Sequence, residues 1–228
     1  MTTLSARDGY RLWATHYEAE TAVSYLENEL IASLGVPTIG VKLLDVGCGT
    51  GRRLRDADAA LAVGVDASPE MLHHGSSLNS ESLGQALRAV ADVRAIPIVE
   101  ETFDVVWCRL MIGHINALEA AYAELSRVCR FGGVVIVTDL STSAVAAGHR
   151  RTFRDADGAT REVEHFVHSI EAQNAAARNA GLAIVLRTEA VVGPSIKSFY
   201  EDAGRMSAYE SQRGLPLVSA QLMRKMVA

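Results

Sequence analysis

The run Asp45-Val46-Gly47-Cys48-Gly49-Thr50-Gly51 places an acid two residues before the first of three glycines that recur at every second position. Glycine tolerates positive φ and lets a ligand come close to the main chain, so this spacing reads as a ligand-binding turn. The acid decides which ligand. A dinucleotide fingerprint is spaced G-x-G-x-x-G and sets pyrophosphate at a helix N-terminus, whereas an acid at this position repels pyrophosphate. A carboxylate inside the apolar run Leu43-Leu44-Asp45-Val46 is costly unless a charged or hydrogen-bonded group meets it. A cationic amine on a nucleoside cofactor is such a partner. Two further acids close strand-like runs. Asp66 ends LAVGVDA, where a carboxylate can hydrogen-bond both ribose hydroxyls, and Asp92, in Ala91-Asp92-Val93, can accept from an adenine amino group.

Positioning these acids takes a sheet. Leu43 to Val46 and Leu61 to Ala67 give the first two strands, and Leu87 to Val93 a third. Phe103 to Cys108 (FDVVWC) gives a fourth, and Val134 to Thr138, after a Gly132-Gly133 turn, a fifth. A helix over Ser169 to Ala180, closed by Gly181, leads to a sixth strand at Leu182 to Ala190, and a seventh spans Leu215 to Met223. Strands alternating with helices predict a doubly wound parallel α/β sheet.

In this order and spacing, LLDVGCGTG, GVDASPEML, the acid Asp92, FDVVWC and the turn Phe131-Gly132-Gly133 resemble the class I S-adenosylmethionine-dependent methyltransferases, in particular the small-molecule group related to the ubiquinone and menaquinone methyltransferases. The resemblance spans about residues 10 to 140. It implies a Rossmann-like seven-stranded sheet whose last strand is antiparallel, placed at the edge, with S-adenosylmethionine as cofactor and no metal. It also implies that Gly47, Gly49 and the main chain near Cys48 line the methionine and ribose part and that Asp45 faces the amino-acid tail. By the same resemblance Asp66, with Ala67, holds the ribose, Met71 packs near the adenine, Asp92 and Val93 read the adenine edge, and Cys108 completes the set. Two positions depart from the pattern. Phe131 stands where the family has a proline, and Gly113-His114 replaces a usual His-His pair, which puts a paired-histidine role in doubt.

Three segments outside the cofactor half are left for the acceptor. In the helical lead-in over residues 5–34, Tyr10, Trp13 and Tyr17 recur at spacings of three and four and share one face. They read either as core packing or as the wall over the sulfonium, with Tyr17 touching the methionine end. Residues 150–168 read as a hairpin turning at Asp157-Gly158. Strand periodicity then puts Val163, His165 and Val167 on one side and Glu164, Phe166 and His168 on the other, so that one histidine faces the acceptor or both face solvent. The third segment, between the last two strands, predicts an amphipathic helix carrying Ile196, Phe199, Tyr200, Met206 and Tyr209.

Methyl transfer from a sulfonium needs in-line orientation, which can contribute roughly 7 to 11 kcal/mol. A hydroxyl or carbon acceptor gains further from a base, for which the candidates are His114, His165 and His168. Arg109 reads as a residue that orients an anionic acceptor or pairs with an acid. Tyr10, Trp13, Phe166 and Tyr200 complete the acceptor-side set.

Length and charge are consistent with one enzyme domain: 228 residues divided into a lead-in at 1–39, a cofactor half at 40–140 and an acceptor half at 141–228. A net charge of -5 argues against nucleic-acid binding. Cys48, Cys108 and Cys129 form no metal or C-x-x-C spacing, as suits a reducing cytoplasm. No apolar run reaches the roughly 20 residues needed to span a bilayer. The expectation is a cytoplasmic, monomeric or homodimeric methyltransferase acting at oxygen or carbon of an aromatic or natural-product-like small molecule. Two alternatives stay open: a protein of the same fold that binds S-adenosylmethionine without transferring methyl (a cyclisation catalyst or binding module), or a nicotinamide-dependent oxidoreductase.

Overall fold

The computed structural model describes residues 2–55, 57–78 and 86–227. Its centre is the strand β2 (Lys42–Val46), preceded by β1 (Thr3–Leu4), α1 (Ala6–Trp13) and α2 (Ala22–Ser33). Leu43, Leu44, Asp45 and Val46 are all buried, as expected of a strand covered on both faces. Along the chain follow α3 (Arg52–Arg55), β3 (Leu61–Asp66), α4 (Pro69–Leu78), β4 (Leu87–Val90), β5 (Phe103–Arg109), α5 (Leu118–Val128) and β6 (Cys129–Leu140). Beyond β6 come α6 (Thr142–Ala146), β7 (Thr152–Arg154), β8 (Thr160–Val163), α7 (Ile170–Asn179), β9 (Leu182–Val191), α8 (Lys197–Asp202), α9 (Met206–Gln212) and β10 (Pro216–Lys225).

The main sheet has seven strands in the order β4-β3-β2-β5-β6-β10-β9. Leu43 pairs in parallel with Ala62 of β3 on one side and Val105 of β5 on the other. Strand order therefore reverses beside β2, and in open α/β sheets ligands bind in the crevice outside the carboxyl ends at such a switch point. The loop 47–51 leaves β2 there.

The last strand is antiparallel, as expected, but not at the edge. β10 pairs antiparallel with both β6 and β9. Leu217 to Met223 are buried throughout, which only a strand flanked on both sides and covered on both faces requires, while β9 exposes Val185, Leu186 and Val191 and forms the border. Other boundaries shift too. The third strand stops at Val90, and Asp92 makes only an isolated bridge to Ala95. The insertion between β9 and β10 is not one helix but a 3₁₀ turn followed by α8 and α9, broken at Gly204, whose φ of 64° a helix interior does not allow.

The lead-in is likewise divided. Ser5 caps α1 by accepting from the Asp8 N–H, a 3₁₀ turn covers Ala14–His16, and a capping box between Thr21 and Ser24 starts α2. The hairpin of β7 and β8 exists, with β1 added in parallel to β8 as a three-stranded sheet. Gly9 lets α1 lie against that sheet, since a Cβ there would stand 2.9 Å from Cγ2 of Val163. Lead-in and hairpin thus form one layer over the crevice.

Candidate active site

Gly47, Gly49 and Gly51 all adopt positive φ, at 74°, 59° and 74°. The turn they make is tied to the next strand. The N–H groups of Gly47 and Cys48 both donate to the Val65 carbonyl, and that of Gly49 donates to Oδ2 of Asp66 at 2.8 Å. The other Asp66 oxygen accepts from the Ser68 N–H at 2.8 Å. Burial raises the Asp66 pKa, a shift only partly offset by these backbone donors. A methyl group on Gly49 would stand 3.0 Å from Cε of Met71 and 3.4 Å from Cε1 of Tyr17, so those two side chains close over the turn.

Gly75 of α4 fixes the same turn from outside. A Cβ there would lie 2.0 Å from the Thr50 carbonyl oxygen and within 2.8 Å of two further Thr50 main-chain atoms. Since those atoms belong to the backbone, Gly75→Ala should push α4 off the loop and lower stability by about 1–3 kcal/mol. A denaturant midpoint unchanged from the parent protein would contradict this packing.

A cavity of about 660 Å³ follows the carboxyl ends of β4, β3, β2 and β5. Of the expected cofactor residues, Tyr17, Gly47, Gly49, Asp66, Ala67, Met71, Asp92 and Val93 reach its wall. Asp45, Cys48 and Cys108 do not. Cys108 is fully buried in the apolar core, and Cys48 packs with Leu54 and Leu72. Asp45 stands one residue behind the wall, and both its oxygens are buried without a hydrogen-bond partner. Burial pushes its carboxyl up to about 6, against the pull of Arg53 and Arg109. Asp92 is half-exposed and gripped by its neighbour Arg94, whose Nε donates at 2.9 Å, so an adenine amino group would share this carboxylate with the guanidinium.

The aromatic face of the lead-in is assembled as expected. Tyr10 stacks on Trp13 at 5.6 Å, Trp13 stacks on Phe153 of β7 at 5.1 Å, and Tyr17 meets both Tyr10 and Trp13 edge-on. Tyr10 and Tyr17 line the cavity. Trp13 belongs instead to a second, smaller space of about 160 Å³, whose wall shares Tyr10, Tyr17 and Leu110 with the first.

The three histidines separate. His114 is on the cavity wall. Its Nδ1 donates to the Glu164 carbonyl at 2.9 Å, which leaves Nε2 to accept from the Tyr10 hydroxyl, also at 2.9 Å. Burial, and after it the Arg151 charge, lower its pKa to about 3, and burial raises that of Tyr10. The proton of this pair therefore stays on the phenol. His165 lies behind the wall, its Nε2 3.2 Å from the Asp139 carboxylate and packed against Gly113. Burial alone would raise the Asp139 pKa, but Arg151 and His165 outweigh it and hold the carboxyl low. His168 donates from Nε2 to the Ile115 carbonyl at 2.7 Å. The alternation expected for residues 163–168 fails because β8 ends at Val163. Phe166 and Tyr200 line neither space; Tyr200 packs on Tyr209 beneath α2.

Arg109 reaches the cavity, yet its guanidinium is committed to a buried acid that the spacing of α2 does not single out. Nε and Nη2 donate to the two oxygens of Glu27 at 2.8 and 2.7 Å. Arg53 donates to the same carboxylate at 3.2 Å and Thr138 at 2.8 Å. Other wall residues absent from the motifs, such as Arg94, Leu110 and Met111, sit one to three residues beyond a motif or strand end, whereas Ser68 lies inside GVDASPEML.

Residues 44–137, which contain the glycine turn, Asp66 and Asp92, match the methyltransferase domain family Methyltransf_11. The chain carries a methyltransferase domain. The malonyl-[acyl-carrier protein] O-methyltransferase of Erwinia billingiae is 31% identical over 134 residues, covering 58% of this chain and 52% of that relative. The chain thus spans about half the length of that curated relative. Among solved structures, an S-adenosylmethionine dependent methyltransferase from Mesorhizobium loti superposes with a TM-score of 0.68 at 17% identity, over 87% of this chain and 97% of its own. The [4+2]-cyclase SpnF superposes with a TM-score of 0.62 at 20% identity, over 90% and 82%. Both likenesses are of fold. The methyltransferase domain match stops at residue 137, so hairpin and insertion must be read from their own residues. Among the described residues, no cluster of three or more histidine, cysteine or acidic groups could hold a metal ion, and no helix is long and apolar enough to cross a membrane.

Proposed function

We propose that this protein is an S-adenosylmethionine-dependent methyltransferase that transfers the methyl group to an oxygen or carbon of a small-molecule acceptor, aromatic or natural-product-like. The observation that carries this reading is the Asp66 carboxylate, which braces the glycine turn while lining a cavity roofed by Tyr10 and Tyr17. The residues fit the cofactor. Asp66 lines the cavity with a carboxylate that can accept from ribose hydroxyls, Met71 and Val93 offer apolar surface to an adenine, and Asp45, one residue behind the wall, acts on an ammonium only through space. S-adenosylmethionine, when bound, supplies a methyl group already activated by the sulfonium.

The chain's own residues then have to hold the acceptor in line and keep water out. Tyr10 presents a phenolic oxygen whose proton is engaged by His114, so its lone pairs can accept from an acceptor hydroxyl. A histidine held near 3 is a weak proton acceptor at neutral pH, so His114 orients Tyr10 instead of storing the acceptor's proton.

Calorimetric titration with S-adenosylmethionine and with S-adenosylhomocysteine tests the site, and release of S-adenosylhomocysteine on adding acceptors tests transfer. Binding without any release across an acceptor panel would instead favour a non-transferring protein of this fold. Failure to bind either ligand would return the nicotinamide alternative. With a working acceptor, His114→Gln should slow turnover by less than about tenfold, not the roughly 10² to 10⁴ expected for a lost base. Because the folded pKa lies near 3, below the ordinary 6.5, the His114 contribution to stability is full above 6.5 and declines as pH falls towards 3. Turnover should accordingly show no inflection from His114 between about pH 5 and 8, since the group stays neutral there.

A further inference from the structure

The second space is lined by four arginines, Arg52, Arg53, Arg150 and Arg151, and by no acidic residue. Three of these cations are compensated from behind. Glu27 bonds Arg53, Asp139 bonds Arg151, and Glu162 stands 3.8 Å from Arg150. Arg52 makes no ion pair among the described residues; it donates to the Glu18 carbonyl at 3.3 Å and lies over the Tyr17 ring. Glu27 is shared with Arg109, and Glu18 and Glu20 act on Arg52 only through space, so the wall keeps a positive character.

The wall is also short of acceptors. Arg53 and Arg151, whose side chains are only 7% and 10% exposed, each carry a buried Nε with no partner, and so does Nε2 of His149 on the same wall. Buried polar nitrogens are nearly always hydrogen-bonded, and a group of exceptions around one space needs an explanation. Guanidinium groups match carboxylate oxygens with paired, charge-assisted hydrogen bonds.

We propose that this space is the seat of a carboxylate on the methyl acceptor, so that the substrates of this protein are small carboxylic acids anchored by Arg52, Arg53 and Arg151. Tyr10, Tyr17 and Leu110 belong to both spaces, so a molecule anchored here extends past them into the cofactor cavity. The anchor does the orienting that His114 does not supply as a base. This assignment rests on the methyltransferase reading above, and the arms of its test separate the two.

The test uses the full-length protein saturated with S-adenosylhomocysteine, whose own binding is measured first. Hexanoate, malonate, benzoate, the three hydroxybenzoates, their amides and phenyl phosphate are then titrated as probes. At least one acid should bind about tenfold or more tighter than its amide, the effect expected of a charge-assisted pair, and phenyl phosphate should bind no tighter than benzoate. Arg52→Gln and Arg151→Gln should each reduce the acid-to-amide ratio to below about threefold while S-adenosylhomocysteine still binds. Arg151 also pairs with Asp139, so if its variant fails to fold, the exposed-side Arg52 variant decides alone. No preference for any acid, a phosphate preference, or a ratio unaltered in Arg52→Gln would overturn the carboxylate seat. Absence of S-adenosylhomocysteine binding would overturn the methyltransferase reading instead.

Discussion

Asp66→Ala should weaken S-adenosylhomocysteine binding by at least about 100-fold, because hydrogen bonds to a charged group contribute roughly 1.5–3 kcal/mol each and a ribose offers two. The loss has a second source. Asp66 also accepts the Gly49 N–H, and without it the glycine turn loses the bond that fixes its middle residue. Asp66→Asn keeps the volume and one acceptor oxygen and should therefore fall between parent and alanine variant. Calorimetry gives the affinities, and circular dichroism shows whether the sheet survives. Affinity unchanged in a folded Asp66→Ala protein would remove the cofactor from this cavity altogether.

Asp66 was legible because it ends an apolar strand in one continuous motif. The same holds for Gly47, Gly49, Met71 and Val93, whose neighbours in sequence are also their neighbours in space. What stayed hidden depends on contacts between distant segments. Glu27 lies in a helix two residues from Glu29 with no motif to mark it, yet it is fully buried against Arg109 and Thr138, 82 and 111 residues further along. Arg151 reads as part of a hairpin strand, while its charge is paired with Asp139 at the wall of the second space. Periodicity also misled where an element ended early. The alternation that set His165 against His168 presumes a strand through residue 168, and β8 stops five residues before it. Strand order is a further blind spot, since the position of β10 between β6 and β9 appears only in its two-sided burial. β1, two residues long, has no sequence signature at all.

The largest effect on stability should come from Glu27. It is fully buried and is the shared partner of Arg53 and Arg109, so Glu27→Gln leaves two guanidinium groups, only 7% and 5% exposed, without the carboxylate to which both are bonded. Breaking a buried pair from one side costs about 3–5 kcal/mol, a large part of the roughly 5–15 kcal/mol that holds a typical domain. The pH dependence distinguishes this from a simple packing defect. Burial alone would raise the Glu27 carboxyl, but Arg53 and then Arg109 outweigh it and hold it at about 2, below the ordinary 4.5. A lowered carboxyl contributes stability that is full above 4.5 and is lost as pH falls through 2, so the parent should lose more stability on that acid limb than Glu27→Gln, which keeps only the losses from other lowered carboxyls such as Asp139. Denaturant titrations of both proteins between pH 7 and about pH 3 measure the difference; parallel curves would mean that the charge of Glu27 is not what the two arginines need. Because the triad joins α2 to α3 and to the end of β5, the same variant should also bind S-adenosylhomocysteine more weakly. Saturating ligand stabilises any variant that still binds it by RT ln(1 + [L]/Kd), and an affinity equal to the parent's would show that the glycine turn and α2 are held independently of each other.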